Sequence, residues 1–367
     1  MIYLDHGATS MGKPPQVARA MVRALQVCGN PGRGGHKAAM AAARAVYACR
    51  LLAARLFDCG EEQVVFTNNC THGLNIAIRD LVKPGGRVVI SGFEHNAVTR
   101  SLAALGVRAE VAGRRLFSPE DTLEQFEDRL KQGAEAAVFT HVSNVFGYIL
   151  PVAEMAALCK KYRVPFVIDG AQSAGNQSIS LEKLGAAYIA MPGHKGLLGP
   201  QGTGLLLCGH TPRPLLFGGT GTASRLQTMP EELPERMEAG TLNVPGIAGL
   251  AEGLRYVLAK TPEAIGKREA EAAAACARDL KKLGVRVFAG AHQAGTVSFV
   301  PEGDCEVLAE ALGRKGIAVR AGLHCAPLAH ESAGTLDSGT VRVSFGHDAT
   351  LQQAAALVRV VREIDVM

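Results

Sequence analysis

Nothing in this chain of 367 residues has the pattern of a leader or a membrane span. The start, MIYLDHGATS, lacks a charged segment followed by an apolar one, so a cytoplasmic protein without a membrane partner is expected. A basic face is missing too. The net charge is only +5, and the basic runs are pairs such as Arg114-Arg115 and Lys160-Lys161, so nucleic acid is not expected as a partner. The nine cysteines, at 28, 49, 59, 70, 159, 208, 276, 305 and 325, show no C-x-x-C and no paired spacing. An odd, scattered set of this kind points to reduced thiols in the cytosol. No internal repeat or low-complexity linker divides the chain.

What is present is a hydrophobic content of 47% against 20% charged residues, the balance of a well-buried globular protein. Many of the 42 glycines fall in clusters, GRGG, GPQGTG and GGTG, where backbone can closely approach a ligand. Apolar strand-like runs alternate with helix-length segments: EQVVFTNN, THGLNIAIRDLV, GRVVISG, NAVTRSLAALG, AAVFTHVSN, VAEMAALCKKYR, PFVIDG, AAYIAMP and GTGLLLC. Such alternation predicts a parallel sheet covered by helices, with functional residues at the strand C-terminal ends. After about residue 250 the pattern changes. A long helical stretch leads to strands VRVFAG, TVSFVP, IAVRAG and TVRVSF, with helices after the second and the last, which predicts a smaller α+β lobe. The expected division is a large domain over residues 15–250 and a small one built from 1–14 and 251–367.

PFVIDGAQSAG, residues 165–175, is an apolar strand ending on Asp169, with Gln172 three residues on. A carboxylate there is either a helix-start cap or a charge aimed at a ligand. The next strand runs into GHKGLLGPQGTG, which places Lys195 in a glycine-rich loop. A lone lysine in such a loop is ordinarily a solvated surface residue. Together, an Asp and a Lys at the ends of neighbouring strands followed by repeated glycine are what pyridoxal 5′-phosphate requires. The amine forms a Schiff base with the aldehyde, and the carboxylate keeps a proton on the ring nitrogen.

The phosphate of such a cofactor needs donors near a helix start. FTNNCTHGLN, residues 66–75, offers a strand, a polar turn and a helix whose first turn contains Thr71, although an ordinary cap explains it equally. In SGFEHNAV, His95 either stacks on a planar ring or caps a helix. RAGLHCAPLAH, residues 320–330, sets Cys325 between two histidines, as a thiolate nucleophile, a metal ligand or a small hydrophobe.

The ordered series EHNA, HVSN, VIDGAQ, GHKGLLGPQGTG, EAGTLN and RAGLHCAP, with YLDHGATS near the start and NPGRGGH at 30–36, resembles the cysteine desulfurases of the class V aminotransferase superfamily. The resemblance implies a fold type I PLP-dependent transferase, with a mainly parallel seven-stranded sheet in a large domain and a smaller α+β domain. It implies Lys195 as the cofactor lysine, Asp169 as the partner of the ring nitrogen, His95 stacked on the ring and Gln172 at its phenolic oxygen. Thr71, His194 and Cys70 with its backbone N–H would hold the phosphate, and Thr241 would reach it from the second subunit of a homodimer. Asn144 and Arg342 match substrate positions, with the guanidinium gripping the α-carboxylate, a geometry that suits bidentate pairing.

The implied reaction takes L-cysteine to L-alanine, with Lys195 moving the Cα proton and a persulfide forming on Cys325 for transfer to an acceptor protein or thiol. Two departures from the family pattern stand out. Pro192 occupies a position where serine is common, and Leu323 one where histidine is common. The compact RAGLHCAP segment resembles the short-loop group, which includes selenocysteine lyases. Two other functions are weighed against desulfuration. One keeps pyridoxal phosphate but acts as a selenocysteine lyase, or catalyses another class V reaction with Cys325 as a bystander. The other is a metal protein with His324, Cys325 and His330 as ligands; it is disfavoured because no second ligand cluster at usable spacing appears.

Overall fold

A computed structural model describes residues 1–32 and 34–365, so Arg33 of the NPGRGGH segment lies outside the described residues. The apolar runs form a seven-stranded sheet in the order β2-β8-β7-β6-β5-β3-β4. Its strands are β2 (Val64–Thr67), β3 (Arg87–Ser91), β4 (Arg108–Ala112), β5 (Ala136–Thr140), β6 (Phe166–Asp169), β7 (Tyr188–Pro192) and β8 (Gly204–Cys208). Only β8 runs against its neighbours; the other pairings are parallel. This is the mainly parallel seven-stranded sheet expected. Every residue of β5, β6, β7 and β8 is buried, which is why they are continuous apolar runs rather than alternating ones.

The two faces of the sheet support separate cores. Phe139, Phe166, Ile168 and Leu207 pack to one side, while Val138, Val167, Tyr188 and Leu206 pack to the other. Helices α3 (Cys70–Leu81), α4 (Asn96–Ala103), α5 (Pro119–Lys131), α6 (Val152–Tyr162) and α7 (Leu181–Leu184) follow strands of this sheet. Helices α1 (Pro15–Val27), α2 (Lys37–Phe57) and α8 (Val244–Lys260) pack on one another.

Strand β4 and helix α5 were not anticipated. RAEVA pairs with β3 alone at the sheet edge, and its exposed Arg108 sits 2.7 Å from Glu110, so it lacks the apolar signature of the inner strands.

A second, antiparallel sheet has the order β12-β13-β10-β9, from β9 (Arg286–Phe288), β10 (Thr296–Val300), β12 (Arg320–Gly322) and β13 (Thr340–Ser344). Helices α9 (Pro262–Lys281), α10 (Cys305–Arg314) and α12 (Leu351–Asp365) complete this lobe. Its core includes Leu4, Cys276, Leu280, Phe299, Val343 and Leu357. The N-terminal β1 (Ile2–Tyr3) pairs in parallel with β11 (Ile317–Ala318).

Two expectations are corrected in this lobe. IAVRAG is not one strand: Ile317–Ala318 and Arg320–Gly322 belong to different sheets. A further short helix, α11 (Pro327–Ala333), starts two residues after Cys325, with Pro327 supplying the fixed φ of a first helical turn. The division expected near residue 250 falls inside α8. Helix α8 packs on α1 and α2, and α9 packs on α12 and β10.

The loops after β6 and β7 meet backbone to backbone. Gly175, at φ +97°, lies against the Gly196 carbonyl, and a methyl group on Gly196 would run into the Ala174 carbonyl oxygen. Gly196→Ala should therefore cost about 2–4 kcal/mol in urea unfolding, because neither backbone has a side chain that can yield. Gly313→Ala, in α10 with nothing near its side-chain position, should stabilise by about 0.4–1 kcal/mol. Equal effects at the two sites would contradict this packing.

Candidate active site

Strands β6 and β7 are adjacent and parallel, with Asp169 opposite Ala190, so the residues after both strands emerge at one edge of the sheet. A cavity of about 250 Å³ opens there. Of the predicted cofactor and substrate residues, Cys70, Thr71, His95, Asn144, Asp169, Gln172, His194 and Lys195 line it. Thr241, Cys325 and Arg342 do not.

The Asp169 carboxylate is buried, and both of its hydrogen bonds fall on Oδ1, from the Ala171 N–H at 2.9 Å and the Cys70 thiol at 3.3 Å. Oδ2 is left for the cavity. Burial, and then the nearby Arg342 charge, pull the Lys195 amine below its ordinary range, which favours the neutral nucleophile. Burial and then Asp169 push the Cys70 thiol well up, so it stays a thiol that donates to the carboxylate. Helix α3 begins at Cys70. Its cap is Asn69, whose Oδ1 accepts from His72 N–H at 2.9 Å, so Thr71 is not the cap. The backbone N–H groups of Cys70 and Thr71, in the first turn of α3, have no helical acceptor and stand at the cavity.

For His95 the helix cap is present and leaves the ring-facing role open. It caps α4, with Nδ1 accepting from Ala97 N–H at 3.0 Å, and its ring also borders the cavity. Burial lowers its pKa, and the capping bond assigns the remaining proton to Nε2. Burial likewise brings His194 down to about 4, and its Nδ1 lies 3.0 Å from Thr9 Oγ1. The His194 carbonyl accepts from Ser10 Oγ at 2.9 Å and Lys13 Nζ at 3.0 Å. The YLDHGATS segment thus braces the lysine loop, a role that sequence did not suggest for Thr9, Ser10 or Lys13. Gln172 donates from Nε2 to the Gly7 carbonyl at 2.9 Å, leaving Oε1 free.

A buried carboxylate, a half-buried lysine amine, a flat neutral imidazole and an open helix N-terminus face one polar cavity, which fits a planar pyridinium carrying a phosphate.

Cys325 lies on a turn rather than on an extended segment. His324 at φ +51° and Cys325 at φ +56° are both left-handed, and Ala326 N–H bonds the Leu323 carbonyl at 2.9 Å, the pattern of a type I′ turn. Such a conformation costs a non-glycine residue roughly 1–2 kcal/mol. Two anchors hold it: Asn144 Nδ2 donates to the His324 carbonyl at 2.8 Å, and Asn96 N–H to the Cys325 carbonyl at 2.7 Å. Cys325 is the one exposed cysteine of the nine; Cys28 and Cys59 are half-buried and the rest buried. His324 and His330 stack on each other with ring centres 5.7 Å apart, and burial lowers both, to about 3 and about 4. Among the described residues no group of three or more His, Cys, Asp or Glu side chains is arranged to hold a metal ion.

Arg342 is buried on β13. It donates from Nη1 to the Asn144 carbonyl at 3.0 Å and from Nη2 to Asp5 Oδ1 at 2.8 Å. The Asp5 contact was not foreseen. Thr241 borders a different, larger groove of about 860 Å³, together with Asn30, Tyr47 and Thr220. His36 caps α2, accepting from Ala39 N–H, and is exposed. Pro192 lines the cavity, and Leu323 is part-exposed at the first position of the Cys325 turn.

Glu94 of the EHNA segment is structural. Its Oε1 accepts from Ser91 Oγ at 2.5 Å and from Thr140 N–H at 2.9 Å, tying the ends of β3 and β5 together beside His95. Burial pushes its carboxyl up to about 8, against an ordinary 4.5. The folded chain therefore keeps a proton that the unfolded chain has lost between those values, so this group's contribution to stability falls as pH rises through that window. Glu94→Gln should gain stability relative to wild type between pH 5 and pH 8, by roughly 1–3 kcal/mol in parallel denaturant titrations. A difference that is constant across this range would contradict the assignment.

The family model for aminotransferase class-V matches residues 2–357. A probable cysteine desulfurase of Pyrococcus abyssi is 30% identical over 99% of this chain and 94% of its own. A probable cysteine desulfurase of Mycobacterium leprae is 31% identical over 100% of this chain and 92% of its own. The solved apo cysteine desulfurase of Thermococcus onnurineus superposes with a TM-score of 0.89 at 31% identity, covering 99% of this chain and 94% of that one. Sequence motifs, sheet order and the paired strand ends at the cavity agree with these matches: the chain belongs to the class-V aminotransferase family, alongside its cysteine desulfurases.

Proposed function

We propose that the protein is a pyridoxal-phosphate-dependent cysteine desulfurase, converting L-cysteine to L-alanine and leaving a persulfide on Cys325. The observation that carries this is the tie between two sites. The only exposed cysteine sits on a turn whose carbonyl is held by Asn144, and Asn144 lines the cavity that contains Lys195 and Asp169.

Bound in that cavity, pyridoxal phosphate supplies the electron sink that makes the substrate Cα–H acidic. The residues do the rest. Lys195 Nζ would hold the cofactor at rest, then take the Cα proton and later return it. Asp169 Oδ2 would keep a proton at the ring nitrogen, His95 would cover the ring, and Gln172 Nε2, with one N–H left over from its bond to Gly7, would donate to the phenolic oxygen. Thr71, His194 and the Cys70 N–H would receive the phosphate, and Arg342 and Asn144 would hold the α-carboxylate. The Cys325 thiolate attacks the substrate sulfur. The S–S bond forms as Cβ–S breaks, the electron pair ends on Cβ, the proton given up by the substrate thiol is made good there, Lys195 returns the Cα proton, and alanine leaves.

We assign the lobes to residues 15–250 and to 1–14 with 251–367, and the working unit to a homodimer. The groove beside Thr241, together with exposed Phe217, Leu216 and Leu226, supports a partner subunit there, with Thr241 serving the partner's phosphate. Nine free thiols suit the reducing cytosol. No helix among the described residues is long and apolar enough to cross a membrane. A partner protein or thiol takes the sulfur. L-Selenocysteine fits the same contacts, and its weaker carbon–selenium bond lessens the need for Cys325.

Cys325→Ala should lower alanine release from L-cysteine by roughly three orders of magnitude while leaving substrate binding intact. Selenocysteine turnover should fall much less. Mass spectrometry of the wild type after brief exposure to L-cysteine should find one added, reducible sulfur on the Cys325 peptide, and its absence would refute the persulfide step. Lys195→Ala should fold yet lack the cofactor's visible absorption. Mixing Lys195→Ala with Thr241→Ala subunits should restore activity through dimers containing one intact site; no recovery on mixing would remove the shared-site arrangement.

A further inference from the structure

The Arg342 guanidinium is already engaged by a carboxylate before any substrate arrives. Its side chain is 3% exposed, and Nη2 donates to Asp5 Oδ1 at 2.8 Å. Asp5 is also gripped by Arg320, through Nε and Nη2 to Oδ2 at 3.0 and 2.8 Å. Arg320 and Arg342 lie directly opposite each other on β12 and β13. Two guanidinium groups therefore share one carboxylate, and one positive charge is uncompensated within the trio. Arg342 Nε is buried with no hydrogen-bond partner among the described residues, which marks where a second carboxylate completes the set.

That second carboxylate lands beside Asp5. Two like charges on one buried guanidinium repel each other strongly, because few water molecules screen them. Arg342 cannot turn away to relieve the conflict. Nη1 is fixed to the Asn144 carbonyl, and the Gly7 backbone lies so close to the guanidinium carbon that a side chain there would sit 3.1 Å from it. The adjustable member is Asp5, which has Arg320, half-exposed at the rim, as its second partner.

We propose that Asp5 is a positioning residue that competes with the substrate α-carboxylate for Arg342, and that Arg320 sets the strength of this competition by drawing the Asp5 charge toward itself. This rests on the assignment of Arg342 to the α-carboxylate. Asp5 keeps the buried cation neutralised when the site is empty and weakens the grip on any amino acid that occupies it. The product, which carries the same carboxylate, is thereby released more readily. The specificity for an amino-acid carboxylate becomes a balance between two carboxylates rather than an attraction alone.

The two arginine partners give opposite signs. On the holoenzyme, calorimetric titration with L-alanine should show Asp5→Asn binding roughly tenfold more tightly than wild type, and Arg320→Gln binding several-fold more weakly. Ethylamine, which lacks the carboxylate, should bind all three proteins alike. In the Asp5→Asn background, Arg320→Gln should have much less effect, as a residue acting through Asp5 requires. A purely structural role for Asp5 gives weaker binding of both ligands, and that result overturns the proposal; so does an unchanged L-alanine affinity. If Asp5→Asn does not fold, Arg320→Gln still decides, because unchanged L-alanine affinity there also overturns it. Arg342→Gln separates the two levels of inference. Loss of L-alanine binding without the opposed signs removes only the role of Asp5, whereas retained L-alanine binding removes the carboxylate assignment and the Asp5 proposal together.

Discussion

The site depends on the register of β6 against β7. With Asp169 opposite Ala190 in a parallel pair, the carboxylate and the loop bearing Lys195 leave the sheet at the same edge, and both reach one cavity. Slipping that register by one residue would turn every inner side chain to the other face, exchanging Ile168 and Ile189 with Val167 and Tyr188 between two cores. The cores on both sides therefore fix the register, and the register fixes the chemistry. Helical caps then do local work: Asn69 frees the α3 N-terminus, and His95 caps α4 while presenting its ring to the cavity.

The inner strands were legible because burial on both faces leaves an unbroken apolar run, as in AAVFT and YIAMP. Edge strand β4 was not, since a strand with one partner and a solvent face can carry Arg and Glu without penalty. The break between β11 and β12 was equally hidden. Val319 belongs to neither strand, and nothing in IAVRAG distinguishes a continuous strand from one that changes sheets. Asp169 and Lys195 were recoverable because each follows an apolar strand in a glycine-rich setting. Asp5, Glu94 and Lys13 were not, because their roles arise from contacts with residues far along the chain, and a single sequence contains no record of distance.

The turn that carries Cys325 was hidden in the sequence for a specific physical reason. Left-handed backbone at two consecutive non-glycine residues is disfavoured, so an extended path after β12 was the natural guess. What reverses it is tertiary: an asparagine side chain and a backbone amide, 180 and 229 positions earlier in sequence, bond the two carbonyls of the turn. The local conformation is imposed from outside the segment. His324 of that turn stacks on His330, and burial holds both imidazoles neutral.

That anchoring determines how far the Cys325 thiol can travel. The main chain on both sides of Cys325 is pinned by its carbonyls, and helix α11 begins two residues later, so the sulfur moves only by rotation about its own side-chain bonds. A long, loosely tethered loop can ferry cargo outward; a tight turn cannot. With the sulfur carrier proposed for this position, a recipient has to bring its own acceptor atom to the exposed turn. Under that proposal the burden of reach falls on the recipient rather than on the turn.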